Sequence, residues 1–105
     1  MNRIDLPRTA ADLPEAWRSA VLGRVAGAEL KLLRMDGRPL PPERHDTPEA
    51  LLVVDGLLRL TVDGADVDLA AGELRWVAAG VEHAVRAGST GTLLIVEQPA
   101  GPPPH

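Results

Sequence analysis

The chain has 105 residues, a formal net charge of −4 and no cysteine, so it has room for one compact domain and excludes disulfides, thiolate catalysis and cysteine-type zinc sites. Lysine and arginine are scattered and only 2% of the residues are aromatic, which argues against nucleic acid as a partner, because such sites need a basic face or stacking rings. No apolar stretch approaches the ~20 residues that span a bilayer, and the N-terminus lacks a signal core. We therefore expect no membrane partner and a cytoplasmic location.

Residues 1–21 are predicted to form an N-terminal arm or a short helix that precedes the main domain. Asp12 is a candidate helix N-cap, and Pro14 and Glu15 follow it at positions that suit a first turn. The pattern predicts a helix over residues 14–20. Trp17 would then be a lid or an anchor packed on the body of the protein.

Residues 22–97 are predicted to form one β domain, because short apolar runs alternate with glycine, proline and aspartate. Asp55-Gly56 and Asp63-Gly64 are expected to end strands, and the second pair is a strong hairpin signal. The predicted strands cover residues 29–35, 51–55, 57–63, 67–69, 74–77, 83–87 and 92–96. No helical period lies between them, so the fold class is all-β. Residues 98–105 are predicted to be a disordered, proline-rich tail.

Candidate metal ligands occur at two places in the β region. Glu49 follows His45 after three residues, and His83 comes much later in the chain. Imidazole and carboxylate together suit a divalent transition metal, and two histidines with one carboxylate suit iron(II) in particular. Glu43 lies two residues before His45, so on an extended strand the two side chains share a face. Glu43 is therefore a candidate fourth ligand.

The run from Gly37 to Gly56 resembles the first motif of the cupin superfamily. That motif is a glycine, H-x-H, three or four residues, a glutamate, six residues and a glycine. Glu43 stands at the first histidine position, His45 at the second, and Glu49 at the glutamate.

The run from Gly72 to Ala87 resembles the second cupin motif, which is a glycine, five residues, P-x-G, two residues, a histidine, three residues and an asparagine. Gly80 and His83 match in register, whereas Ala78 stands where proline is usual and Ala87 where asparagine is usual. The resemblance covers about residues 30–96, with the short gap between motifs that is typical of small bacterial cupins.

This resemblance implies an antiparallel jelly-roll β-barrel that holds a divalent metal (iron, manganese, zinc or nickel) on Glu43, His45, Glu49 and His83. It implies a small-molecule enzyme of the dioxygenase, isomerase or decarboxylase type. A non-catalytic module that binds or senses a sugar or an acid, with weak or absent metal, is the alternative. A structural dimer with a vestigial site is a third possibility.

Four further expectations concern assembly and the surroundings of the site. Small cupins commonly pair, and the strands carry apolar residues on both faces, so we expect a homodimer. Trp76 is predicted to lie in the core. Ala87 should line the same cavity as His83, an even number of residues away. The arginines at positions 34, 59, 75 and 86 are expected on solvated strand faces.

Overall fold

The computed structural model describes residues 2–99, in which one short helix precedes eight strands. Their bounds are α1 (Leu6–Ala11), β1 (Ala20–Val25), β2 (Ala28–Asp36), β3 (Leu40–Glu43), β4 (Glu49–Val62), β5 (Ala65–Ala70), β6 (Leu74–Val77), β7 (His83–Val85) and β8 (Thr90–Glu97). Most of the predicted tail, from residue 100 onward, lies outside the described residues. No helix within residues 2–99 is long and apolar enough to cross a membrane.

The short helix lies earlier than the sequence pattern predicted, over Leu6–Ala11 rather than residues 14–20. Asp5 is the true N-cap, because its side chain accepts a hydrogen bond from the backbone N–H of Arg8 at 3.2 Å, and proline follows in the first turn. Asp12 instead ends the helix. Trp17 has a left-handed backbone conformation (φ 66°), and its backbone N–H donates to the Arg34 carbonyl at 2.8 Å. This segment is therefore hydrogen-bonded to β2 and is not helical.

The strands pair antiparallel in the order β1-β2-β8-β4-β7-β3, with β5 and β6 also paired to β4. Strand β4 makes this topology possible because it is long enough to pair with four strands. Its first half pairs with β8 and β6, and its second half pairs with β5 and β7. The predicted all-β antiparallel fold with a short N-terminal helix is thus confirmed, although the sheet does not close into a full barrel within the described chain.

The prediction that Asp55-Gly56 ends a strand is wrong, since β4 continues through it from Glu49 to Val62. The register with β8 shifts between Val53 and Asp55, and Gly56 has a positive φ of 84°. This irregularity bends the strand and does not reverse it. Asp63-Gly64 does form the predicted hairpin, between β4 and β5, with both residues at positive φ.

The core lies on the concave side of the curved sheet and is almost entirely aliphatic. Its fully buried members include Val53, Leu58 and Leu60, which come from both halves of β4. On the opposite face, α1 packs against β2 through Ala10, which is 1% exposed. Arg34 does not extend into solvent there, because its guanidinium donates to the carbonyls of Ala10 and Leu13. The helix C-terminus is therefore bonded to the sheet.

Candidate metal centre

The candidate ligands are brought together by the pairing of β3 with β7 and by one loop contact. Glu43, the last residue of β3, lies directly opposite His83, the first residue of β7. His45 follows β3, and its carbonyl accepts a hydrogen bond from the Gly80 N–H at 2.8 Å. Glu49 begins β4. The two sequence motifs thus meet through backbone hydrogen bonds at one end of the sheet.

Glu43, His45 and His83 form a compact group of potential ligands, each offering one atom within 4.8 Å of the others. Glu43 Oε1 lies 3.5 Å from His45 Nε2 and 3.9 Å from His83 Nε2. The two imidazole centroids are 5.4 Å apart. Glu49 is outside this three-residue group but touches it, since its Oε1 lies 2.9 Å from His83 Nε2. All four residues identified from the sequence therefore converge.

The orientation of the His83 ring is fixed by a backbone contact. Its Nδ1 lies 3.1 Å from the carbonyl oxygen of Val81, and because that oxygen can only accept, Nδ1 carries the proton. In the neutral ring Nε2 then has its lone pair directed at Glu43 and Glu49. Metal-binding histidines commonly have this arrangement, in which a carbonyl behind the ring fixes the tautomer. No motif in the sequence indicates this contact of Val81, because it is made by a backbone carbonyl.

Exposure differs sharply within the group. The His83 and Glu49 side chains are each 6% exposed, whereas His45 is 37% and Glu43 58% exposed. Two candidate ligands are thus held inside the protein, and the other two lie at its rim. A small molecule from solvent would approach from the rim.

Burial raises the pKa of the Glu49 carboxyl to about 8, with further contributions from a hydrogen bond to Glu97 and from the charges of Glu97 and Glu43. Lys31 opposes this increase. Glu97 lies directly across from Glu49 in the β4–β8 pair, and its Oε1 accepts a hydrogen bond from Lys31 Nζ at 3.0 Å. Glu97 and Lys31 are neighbours of the site that the motifs did not identify. The one available signal is the alternation of β2, which places Lys31 on the same strand face as the buried Leu33.

We expect the metal-free protein to lose stability as the pH rises from about 4.5 to about 8. Folding raises the pKa of Glu49 above its ordinary value of 4.5, so the native state holds a proton in this range that the unfolded state has released. The contribution is fully present below pH 4.5 and disappears as the pH passes 8. Urea unfolding of metal-free protein across this range checks it. Glu49→Gln should flatten the dependence, and an unchanged slope in that variant would contradict the assignment.

The group opens onto a cavity of about 190 Å³ inside the curved sheet. Trp17 lines this cavity, packs on the core and donates its indole N–H to Asp36 at 2.7 Å, which agrees with its predicted anchoring role. Two other expectations are wrong. Ala87 is exposed and does not line the cavity. Strand β7 ends at Val85, so the rule that residues an even number apart share a face does not extend from His83 to Ala87. Trp76 is 62% exposed on β6, which has β4 on one side only.

The donor set fits a divalent metal ion. It combines imidazole nitrogen with carboxylate oxygen, which suits first-row transition metals. The separations of 3.5 and 3.9 Å from Glu43 Oε1 to the two imidazole nitrogens are spacings that two ligand atoms can have when each lies about 2.0–2.2 Å from one ion. The backbone contact behind His83 supplies the outer support that such ligands usually have.

The family model described as "Cupin domain" matches residues 34–97. A cupin-2 domain containing protein from Shewanella frigidimarina NCIMB 400 is similar in structure, with a TM-score of 0.83 and 25% identity over 91% of this chain and 94% of that one. Protein NMB1881 from Neisseria meningitidis has a TM-score of 0.79 and 23% identity over 93% of this chain and 100% of its own.

A third solved structure, of the conserved protein SPY1581 of unknown function from Streptococcus pyogenes, has a TM-score of 0.78 and 19% identity. That match covers 96% of this chain and 90% of the other. No curated protein matches the sequence significantly.

Proposed function

The chain belongs to the cupin family, and from this we propose that it binds one divalent metal ion and uses it to act on a small molecule. Glu43, His45 and His83 would be ligands, with Glu49 as a fourth. The observation that carries the proposal is the approach of three potential ligand atoms to within 4.8 Å of one another. These residues come from two motifs about forty positions apart in the sequence, and a purely structural role does not require them to meet.

A bound ion would supply Lewis-acid polarisation or activation of water or dioxygen. The protein's own residues would do the rest. His83 holds its Nε2 toward the centre because Val81 fixes its tautomer. Glu49, whose pKa is raised to about 8 in the metal-free protein, would release its proton on becoming a ligand, so ion uptake should weaken as the pH falls. Membership of the cupin family makes an enzyme of the dioxygenase, isomerase or decarboxylase type the activity that we propose.

We expect elemental analysis of the purified protein, followed by titration of the metal-free form, to give about one ion per chain. Iron(II), manganese, zinc and nickel are the ions to compare, since the mixed nitrogen and oxygen donors suit each of them. Bound ion should also slow thermal unfolding, because it binds only the native state. Failure of all four ions to bind would refute the metal function and favour a module that binds a small molecule without metal.

A homodimer is a further part of this proposal, and the convex face of the sheet supports it. Two rows of apolar side chains cross four strands there, in register. One row is Leu32, Leu94, Leu52 and Leu74, and the other is Leu30, Val96, Ala50 and Trp76. Helix α1 covers the β2 end, whereas Leu74 and Trp76 at the β6 end are 55% and 62% exposed. Apolar side chains grouped at a sheet edge typically need cover.

We expect Trp76→Glu to convert the dimer to a monomer, because a carboxylate placed in an apolar contact loses its hydration without a partner. Light scattering at micromolar concentration measures the mass. Val25→Glu is the matched control, since Val25 is 68% exposed on β1 at the other end of the sheet, and it should leave the mass unchanged. A wild-type monomer under these conditions would contradict the assembly.

A further inference from the structure

We propose that the cavity beside the metal centre takes a small, uncharged and mainly apolar molecule rather than a sugar or an anionic acid. This ligand class rests on the proposed function, since the molecule would meet the metal at the polar end of the cavity. The proposal rests on the lining of the cavity. An aliphatic wall lies next to a polar group of carboxylates and imidazoles, and that group contains no lysine or arginine.

The lining of the cavity is strongly divided by chemistry. Eight aliphatic side chains and the indole of Trp17 form most of the wall. The polar groups are two imidazoles, three carboxylates and the Ser19 hydroxyl. All of these except Ser19 belong to one cluster, because Glu97 is hydrogen-bonded to Glu49 and Glu49 touches His83. A bound molecule would therefore have one polar end and an apolar remainder.

An anionic ligand lacks a counter-charge in this cavity. No lysine or arginine of residues 2–99 lines it. The cations beside the polar cluster are already paired: Lys31 with Glu97 at 3.0 Å and with Glu29 at 3.8 Å, and Arg44, next to His45 in the chain, with Glu82 at 2.8 Å. A divalent ion held by two carboxylates would have its charge balanced as well. An additional carboxylate or phosphate would therefore lose its hydration without a charged partner, which is unfavourable in a largely apolar site.

A sugar is disfavoured for a different reason. Each of its hydroxyls must exchange a hydrogen bond with water for one with the protein, and the aliphatic wall offers no partner. Buried hydroxyls left without partners weaken binding strongly. Leu58 and Leu60, which lie deep in the wall, are almost completely buried and have no polar side-chain atoms.

The size of the cavity limits the ligand. An engineered apolar cavity of about 150 Å³ holds benzene, so a cavity of about 190 Å³ has room for a molecule of about eight non-hydrogen atoms. Benzyl alcohol is a suitable probe, since its hydroxyl can reach the polar cluster and its ring can contact the aliphatic wall. Benzoate and benzylammonium are charged molecules of nearly the same shape, and erythritol is a sugar alcohol with the same number of non-hydrogen atoms as benzyl alcohol.

The test is an NMR titration of nitrogen-15-labelled protein with these four molecules, in metal-free and metal-loaded forms. In the metal-loaded form we expect benzyl alcohol to bind at least about tenfold more tightly than the other three, a difference of about 1.4 kcal/mol. The ion would neutralise the carboxylates of Glu43 and Glu49, which could otherwise pair with benzylammonium. In the metal-free form the same preference should hold over benzoate and erythritol. The chain has two tryptophans, which provide an internal control. The indole signal of Trp17, which lines the cavity, should shift, and that of exposed Trp76 should not. Movement of Trp76 alone would overturn the proposal.

A pair of variants tests the location of the bound molecule. Leu40 lines the cavity from β3 and is partly exposed, so Leu40→Phe should fill space there while the protein stays folded. We expect it to weaken benzyl alcohol binding at least about tenfold, whereas Val25→Phe on the exposed surface of β1 should not change it. If both variants bound benzyl alcohol with the same affinity, the assignment of its binding site to this cavity would be wrong.

The two proposals fail in different ways. A chain that takes up benzyl alcohol in the cavity but never binds a metal ion refutes the metal function and supports the ligand class. A metal-loaded chain that prefers benzoate, benzylammonium or erythritol refutes the ligand class alone.

Discussion

His83→Ala is expected to lower the affinity of the protein for its metal ion at least about a hundredfold. Four ligands of a structural metal site together provide roughly 10–16 kcal/mol, so the loss of one ligand removes a large part of the binding free energy. His83 is the best-fixed of the proposed ligands, because its ring is 6% exposed and held by the Val81 carbonyl. Metal titration of purified variants, followed by calorimetry or a competing chelator, measures the change.

The other ligands give a graded comparison. His45→Ala should also abolish tight binding, while Glu43→Ala should weaken it less, because the Glu43 side chain is 58% exposed and held at the rim. Asp46→Ala is the control, since Asp46 is an exposed acid next to His45 that is not part of the three-residue group. All variants should keep a β-rich circular dichroism spectrum. Wild-type affinity in His83→Ala would eliminate the proposed centre.

Gly56→Ala is expected to destabilise the protein by about 3 kcal/mol or more, which is a large part of the stability of a domain this size. Gly56 lies opposite Gly91 in the β4–β8 pair and has a φ of 84°. A Cβ at this position would collide with the Thr90 carbonyl oxygen and would lie 2.8 Å from the Gly91 Cα. Backbone atoms of a paired strand cannot move aside as a flexible side chain can.

Gly64→Ala separates this collision from the conformational cost alone. Gly64 has nearly the same φ, 81°, but nothing lies within 4 Å of an added Cβ. The substitution should therefore cost only about 1–2 kcal/mol, the usual penalty for a left-handed alanine. Urea unfolding of both variants measures the difference. Equal losses would show that the β4–β8 contact can relax.

Much of the fold could be predicted from the sequence because its signals are local. The apolar run at residues 74–77 and the Asp63-Gly64 turn depend on neighbouring residues only, and both are confirmed. Asp55-Gly56 is locally the same signal, yet the strand continues there. The difference arises from β8, whose paired Gly91 allows the two backbones to approach closely at a bulge. A sequence motif does not contain that distant partner.

The residues of the candidate site also differ in whether local sequence signals predict them. The histidines and glutamates could be proposed as one group from their spacing and from the resemblance to the cupin motifs, and their side chains do lie close together. Glu97 and Lys31 could not, because they come to the site through strand register between β2, β8 and β4. The sequence does not place the N-terminal helix, because Asp5 and Asp12 are similar capping signals. The backbone bond from Trp17 to β2 excludes helix after Asp12.

The pairing of β4 with four other strands has a consequence for the order of folding. Most contacts in the protein join residues far apart in the chain, and topologies of this kind fold slowly, on a scale of roughly milliseconds to seconds. Glu43, Glu49 and His83 lie at ends of strands that meet only when β4 has docked on both sides. A metal ion would thus bind its ligands only after the rate-limiting step. It would lower the rate of unfolding and would not increase the rate of folding.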